Sequence, residues 1–287
     1  RHLLLGPWDH GARIDISPWR TSVEPSFPLL GEVLRFFDTY LLGYDTGLID
    51  EAPIHYYAIH AERWRAAHQW PPVVARQRLY LASGGELAEA APLPGEDQHR
   101  VDFSRGTGNN TRYERIAGID SRDYYADWQG RTEAMLSYTS APLPSAMELA
   151  GHGVAELWVA SSEPDLALFV YLTEIEADST ERYVTEGLLR ALHRKESSSP
   201  ENYRATWPFR SFTRGDAAPL IPGQVEHIRV PLLPVAWQFA KGSRIRVSIA
   251  GHDDDHCGQV PHGRPPLITL MRGGDNASAI ELPLVAV

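Results

Sequence analysis

The stretch Leu3-Leu4-Leu5-Gly6-Pro7-Trp8-Asp9-His10-Gly11 decides how the chain is read. The leucine run predicts a short buried strand. Gly6-Pro7 ends it, because proline has no N–H for a ladder and glycine accepts the backbone angles of a sharp exit. Trp8, Asp9 and His10 then fall on the loop beyond the strand. Ligands and catalytic groups in open α/β sheets gather at the carboxyl ends of strands, so His10 occupies the place of a general base. Spacing alone leaves an ordinary solvated loop histidine as the alternative.

Outward from this loop, Asp15 to Phe27 is broken by proline and lacks periodicity. Leu30, Val33, Leu34, Phe37 and Leu41 recur at helical spacing and form one apolar stripe. That pattern predicts a helix over about Pro28 to Leu42, with Ser26 as N-cap, Pro28 in the first turn and Gly43 as the stop. The helix is expected to pack on the sheet that ends at Leu5. Pro53 to Ile59 reads as an edge strand, and a Trp-rich element from Glu62 leads to a boundary at Trp70-Pro71-Pro72.

Beyond about Ala75 the pattern changes to short strands between Gly and Pro turns. Arg78 to Leu81, Val154 to Ala160, Leu166 to Leu172, Arg244 to Ile249, Pro266 to Met271 and Ala279 to Leu284 are the clearest. With almost no helix, they predict an antiparallel β-sandwich. The fold class is therefore mainly β: a C-terminal sandwich over residues 75–287, preceded by a strand–loop–helix segment over 1–74.

Gly6-Pro7-Trp8-Asp9-His10-Gly11 resembles the Gly-Pro-Trp-x-His motif of the serine hydrolases that include cocaine esterase, glutaryl acylase, α-amino-acid ester hydrolases and X-Pro dipeptidyl-peptidases. Further pieces resemble the same family: Phe36-Phe37-Asp38, Leu42 to Gly47, Glu62-Arg63-Trp64-Arg65 with Trp70-Pro71, and Tyr138 to Leu143. The resemblance implies that 1–74 is the end of an α/β-hydrolase domain carrying the triad histidine, His10, and that 75–287 is a jelly roll. It also implies that the jelly roll completes an acyl-group pocket. The irregular, aromatic-rich stretch from Ser104 supplies the candidates Tyr113, Tyr124, Tyr125 and Trp128, for which packing within the sandwich is the competing reading.

Triads in α/β-hydrolases run nucleophile, acid, histidine, and no Gly-x-Ser-x-Gly occurs in the chain. The serine and the carboxylate are thus expected upstream of residue 1, and this chain by itself is expected to be silent. Asp9 is not assigned as the triad acid, since neighbours on an extended loop point apart. The expected substrate is a small ester or amide, and the expected partner is the N-terminal part of the same enzyme, as one longer chain or as a separate processed subunit. A homo-oligomer is compatible with the sequence. The alternative function is a noncatalytic sandwich that binds carbohydrate or a protein.

A formal charge of −10 argues against nucleic acid, and no apolar run is long enough for a transmembrane helix. The lone Cys257 excludes an internal disulfide. His252-Asp253-Asp254-Asp255-His256-Cys257 holds donors for zinc, but a loop of consecutive aspartates does not aim them at one ion. Gly106-Thr107-Gly108, without a following helix, is no phosphate cradle. Neither metal nor cofactor is expected. A cytoplasmic location is favoured, although any targeting signal would precede residue 1.

Overall fold

The computed structural model describes residues 2–8, 17, 19, 27–72, 75–108, 128, 130–203 and 205–287. Two layers of very different character emerge. The N-terminal layer holds β1 (Leu3–Leu5), α1 (Leu29–Tyr40), β2 (Ile54–Ala58) and β3 (Arg63–Ala67). β1 pairs with β2 in parallel, and β2 pairs with β3 antiparallel, so β2 is the middle strand rather than the expected edge. Its Tyr56, Tyr57 and Ala58 are buried, which an edge position would not require.

The remaining strands build one large mixed sheet and one small sheet. They are β4 (Gln77–Ala82), β5 (Glu86–Ala88), β6 (Gly95–Arg100), β7 (Leu136–Ser140), β8 (Met147–Gly151), β9 (Val154–Ser161) and β10 (Ala167–Ile175). The chain continues through β11 (Glu181–Arg190), β12 (Glu226–Pro231), β13 (Val235–Phe239), β14 (Arg244–Ala250), β15 (Leu267–Arg272), β16 (Ala279–Leu282) and β17 (Leu284–Ala286). One large sheet runs β11-β10-β14-β7-β5-β4-β16-β9-β15-β6, with β12 added on β9, and a small sheet runs β13-β8-β17. The large sheet is mixed rather than wholly antiparallel, because β5 and β7 pair in parallel.

β10 shows why the sheet holds. It lies between β11 and β14, and both of its faces are buried, so Leu168, Val170 and Leu172 meet one side of the core while Phe169 and Tyr171 meet the other. Burying each such side chain contributes about 1.5–3 kcal/mol. β6, at the far edge, alternates half-buried and exposed residues in Gly-Glu-Asp-Gln-His-Arg, and exposed charges deter further strand addition.

The helix ends at Tyr40 with Leu41 as its C-cap, two residues short of the expected Leu42, and Gly43 takes the left-handed conformation two residues beyond that cap. Its start has Pro28 at the N-cap and no side-chain cap bond, while Ser26 lies outside the described residues. The expected packing of the stripe on the sheet is not what the structure shows. Arg35 bonds Glu51 and the Thr46 carbonyl, and Thr39 bonds Thr46, so the polar face of α1 is tied to the segment that follows it. Leu30, Leu34, Phe37 and Leu41 are 82%, 59%, 48% and 73% exposed. The stripe faces outward because no layer among the described residues covers it.

Candidate functional site

His10 and Asp9 lie outside the described residues, while Trp8 before them and Ser17 and Trp19 after them lie within. On the near side, Trp8 folds back over Gly6 so closely that a Cβ there would sit 2.4 Å from the indole. Only glycine tolerates that approach. The Trp8 ring then packs with Phe27 and Trp64, and Trp64 packs with Tyr57. On the far side, Ser17 is buried and donates its hydroxyl to Glu62 Oε1 at 2.6 Å. The His60 N–H donates to the same oxygen at 2.8 Å, and the Tyr57 hydroxyl donates to Oε2 at 3.1 Å. Trp19 stacks on His60 at 4.2 Å between ring centroids.

The turn between β2 and β3 therefore holds Ser17 and Trp19. It carries His60 and Glu62 at φ 72 and 51, in the left-handed region that costs a non-glycine residue free energy. Surrounding bonds offset the cost. His60 Nδ1 lies 3.3 Å from Glu174, a fully buried carboxylate that also accepts from Trp237 Nε1 at 2.8 Å and the Ala240 N–H at 2.7 Å. Burial opposes a charge on His60, yet the bond to Glu174, its charge and that of Glu176 outweigh burial and raise the histidine pKa above its ordinary value. Serine, histidine and carboxylate thus meet here without forming a nucleophile–base pair. Ser17 bonds Glu62, His60 bonds Glu174, and no Ser17–His60 bond occurs among the described residues.

The second candidate element is the aromatic segment. Tyr113, Tyr124 and Tyr125 lie outside the described residues. Trp128 is buried in the sandwich core against Tyr171 and Tyr183, and its N–H donates to the Glu181 carbonyl at 2.7 Å. At the other root of the segment stands the Gly106-Thr107-Gly108 turn. Asp253 is buried and accepts from Thr107 N at 3.2 Å, from Thr107 Oγ1 at 2.7 Å and from the Tyr171 hydroxyl at 2.9 Å. Asp255 accepts from the Gly108 N–H at 2.6 Å. A Cβ on Gly106 would lie 2.0 Å from Asp255 Oδ2, so the glycine is required by this contact. The acidic run is a latch on Thr107 and Gly108, and no metal-ligating group of three or more His, Cys, Asp or Glu forms among the described residues.

Between the layers lies a largely apolar cavity of about 500 Å³, walled by Leu3, Leu5, Trp8, Tyr57, Tyr183 and Leu233. Sequence reasoning missed His60, Glu174 and the bonding role of Glu62. A lone histidine after a strand and a glutamate within one carry no periodic signal, and their partners lie far away in the chain.

The profile of the X-Pro dipeptidyl-peptidase C-terminal non-catalytic domain matches residues 46–273. The chain belongs to that family. It is similar to a putative serine esterase of Mycobacterium bovis, 39% identical over 286 residues, which span 99% of this chain and 45% of the relative. A putative Xaa-Pro dipeptidyl-peptidase of Streptomyces avermitilis is 24% identical over 276 residues, covering 88% of this chain and 38% of the relative. This member of the family thus spans less than half the length of the curated relatives it matches. In fold it is similar to an aminopeptidase from a marine sediment Thaumarchaeota archaeon (TM-score 0.76, 21% identity, 99% of this chain and 49% of that one). It is also similar to an α-amino acid ester hydrolase (TM-score 0.70, 18% identity, 99% of this chain and 50% of that one). The family is that of a noncatalytic C-terminal domain, and the relatives that share it here are longer proteins.

Proposed function

We propose that this chain is the C-terminal portion of a serine hydrolase that cleaves ester or amide bonds, acyl or X-Pro dipeptidyl, with His10 as the general base. Residues 1–74 form the last part of its α/β-hydrolase domain and 75–287 its jelly roll. The observation that carries the reading is the unfinished N-terminal layer. β1 has one parallel partner among the described residues and an open second edge, and α1 turns its apolar stripe outward. Parallel strands are almost always covered on both faces, so a further layer of strands and helices fits against this one.

In this reading a serine from the catalytic part attacks the substrate carbonyl while His10 Nε2 takes its proton. The tetrahedral intermediate collapses as His10 returns that proton to the leaving group, and water repeats the sequence to free the acid. A carboxylate from the catalytic part holds the other ring nitrogen. Tyr113, Tyr124 and Tyr125 wall the acyl-group pocket, with Trp128 anchoring their segment from the core.

Active-site labelling tests this. A fluorophosphonate should modify one serine in the longer enzyme, at a rate that collapses in His10→Ala, and should not modify the isolated chain. Rapid serine labelling of the isolated chain would overturn the reading.

A further inference from the structure

Four adjacent strands of the large sheet, β12, β9, β16 and β4, carry a row of paired charges. Their registers set Arg229 opposite Glu156, and Glu281 opposite both Val154 and Arg78. The alternate residues Leu157, Ile228, Ile280 and Leu79 are buried in the core, so the charged row lies on the outer face. Arg229 Nε donates to Glu156 at 3.2 Å, and Arg78 donates to Glu156 at 2.7 Å and to Glu281 at 2.8 Å. A wall rises over this face from the segment that follows β11. Its Glu196 accepts from Arg229 Nη1 at 3.1 Å, and the Ser197 N–H donates to the Phe209 carbonyl at 2.9 Å. Arg210 pins the wall: its side chain is 2% exposed and donates to the carbonyls of Arg194 at 3.3 Å and Arg229 at 2.5 Å. Burying a guanidinium costs free energy, and its bonds to the backbone offset that cost while tying the segment to β12.

Between wall and sheet lies an open cleft of about 450 Å³, lined by Arg76, Val154, Glu196, Trp207, Arg229 and Glu281. Ligand sites span roughly 300–1,000 Å³, so the cleft is of ligand size. We propose that it binds a neutral saccharide. Arg76, Arg78 and Arg229 balance Glu156, Glu196 and Glu281, and the Arg210 charge is buried behind the wall. The cleft therefore offers donors and acceptors side by side with no excess of either charge, which does not favour an anion such as phosphate. Trp207 adds a half-buried indole, braced by the His152 ring at 4.7 Å and the Tyr203 ring at 5.7 Å between centroids. A sugar ring needs this combination, because its hydroxyls donate and accept at once while its C–H face is apolar. The site is built wholly from strands and a wall distant in the chain from the N-terminal layer, so it stands independently of the role of His10.

The test is an NMR titration of the 287-residue chain with glucose, galactose, maltose and lactose, and separately with inorganic phosphate. The backbone amides of Ser197 and Thr206 and the Trp207 indole N–H should shift saturably with at least one saccharide and not with phosphate. Trp207→Ala should weaken that binding roughly tenfold or more, as truncating a buried aromatic anchor does. Glu196→Gln, at a partly exposed position, should keep the fold and weaken binding severalfold by removing a charged acceptor. No saturable shift with any of the four saccharides, whether or not phosphate binds, overturns the proposal. Wild-type affinity in a folded Trp207→Ala places the sugar elsewhere and overturns it too. Should Trp207→Ala fail to fold, unchanged affinity in Glu196→Gln overturns it equally.

Discussion

Leu172 in β10 and Leu34 in α1 are the same residue type in opposite circumstances. Leu172 sits in a strand covered on both faces and has no exposed surface, whereas Leu34 lies on a stripe of apolar side chains that is more than half open. The large sheet has its partners at hand: β11 and β14 flank β10, and the small sheet of β8, β13 and β17 adds Trp237, Phe239 and Leu149 to the core. Among the described residues, the N-terminal layer leaves its apolar stripe uncovered. An amphipathic helix turns its apolar face toward a core. Here the polar face of α1 is the one held, by Arg35 and Thr39, and the apolar face is open among the described residues. On the proposed reading, the difference separates a domain that closes on itself from a layer shaped to complete another.

The largest expected effect is catalytic and sharpens the functional half of this contrast. In the full-length enzyme His10→Ala should cost several orders of magnitude in kcat, while Asp9→Asn costs far less. Equal losses would place Asp9 in the chemistry. Next, Leu172→Ala should destabilise the chain by about 2–5 kcal/mol, against roughly 0.5 kcal/mol or less for Leu34→Ala in the isolated chain. Denaturant melts compare the two directly, and a similar cost for both would erase the distinction between the layers. Asp253→Ala should cost about 1–3 kcal/mol by stranding the buried Tyr171 and Thr107 donors. Elemental analysis of the wild type should find no stoichiometric zinc, as expected of a latch.

Much of this architecture was legible in the chain. The strands at Arg244 and Leu267 and the stripe of α1 follow from periods of 2 and 3.6, and β4, β9, β10, β14 and β15 fall within a few residues of where alternation places them. β6 was not legible, because Gly-Glu-Asp-Gln-His-Arg is an edge strand whose solvated side chains carry no hydrophobic signal. Nor was β11, whose interior holds Glu181 and Glu186 as buried carboxylates in a strand that reads as half-polar. The site divides in the same way. His10 could be singled out because a motif surrounds it. The Asp253–Thr107 latch and the Ser17–Glu62 bond join residues far apart in the chain, and only the fold brings those donors and acceptors together.

The smallest expected effect is a pH dependence at the seam between the two layers. Glu174 and Glu176 raise the His60 pKa above its ordinary 6.5. The protonated ring therefore stabilises the fold fully below pH 6.5, the reference for the unfolded chain, and that contribution fades as pH rises through the raised folded value. Melting temperature should decline modestly above pH 6.5 in the wild type, and the decline should flatten in His60→Asn. An identical pH profile in the variant would assign the decline to other groups.

On the proposed reading, the open face of α1 is an interior surface of a larger enzyme. Hydroxyl-radical footprinting of the isolated chain and of the full-length enzyme tests it at Leu30, Leu34, Phe37 and Leu41, with Leu93, 86% exposed on a sandwich loop, as internal reference. The account predicts strong labelling of the stripe in the isolated chain and near-complete protection in the full-length enzyme, with Leu93 unchanged. Equal labelling of the stripe in both would contradict it.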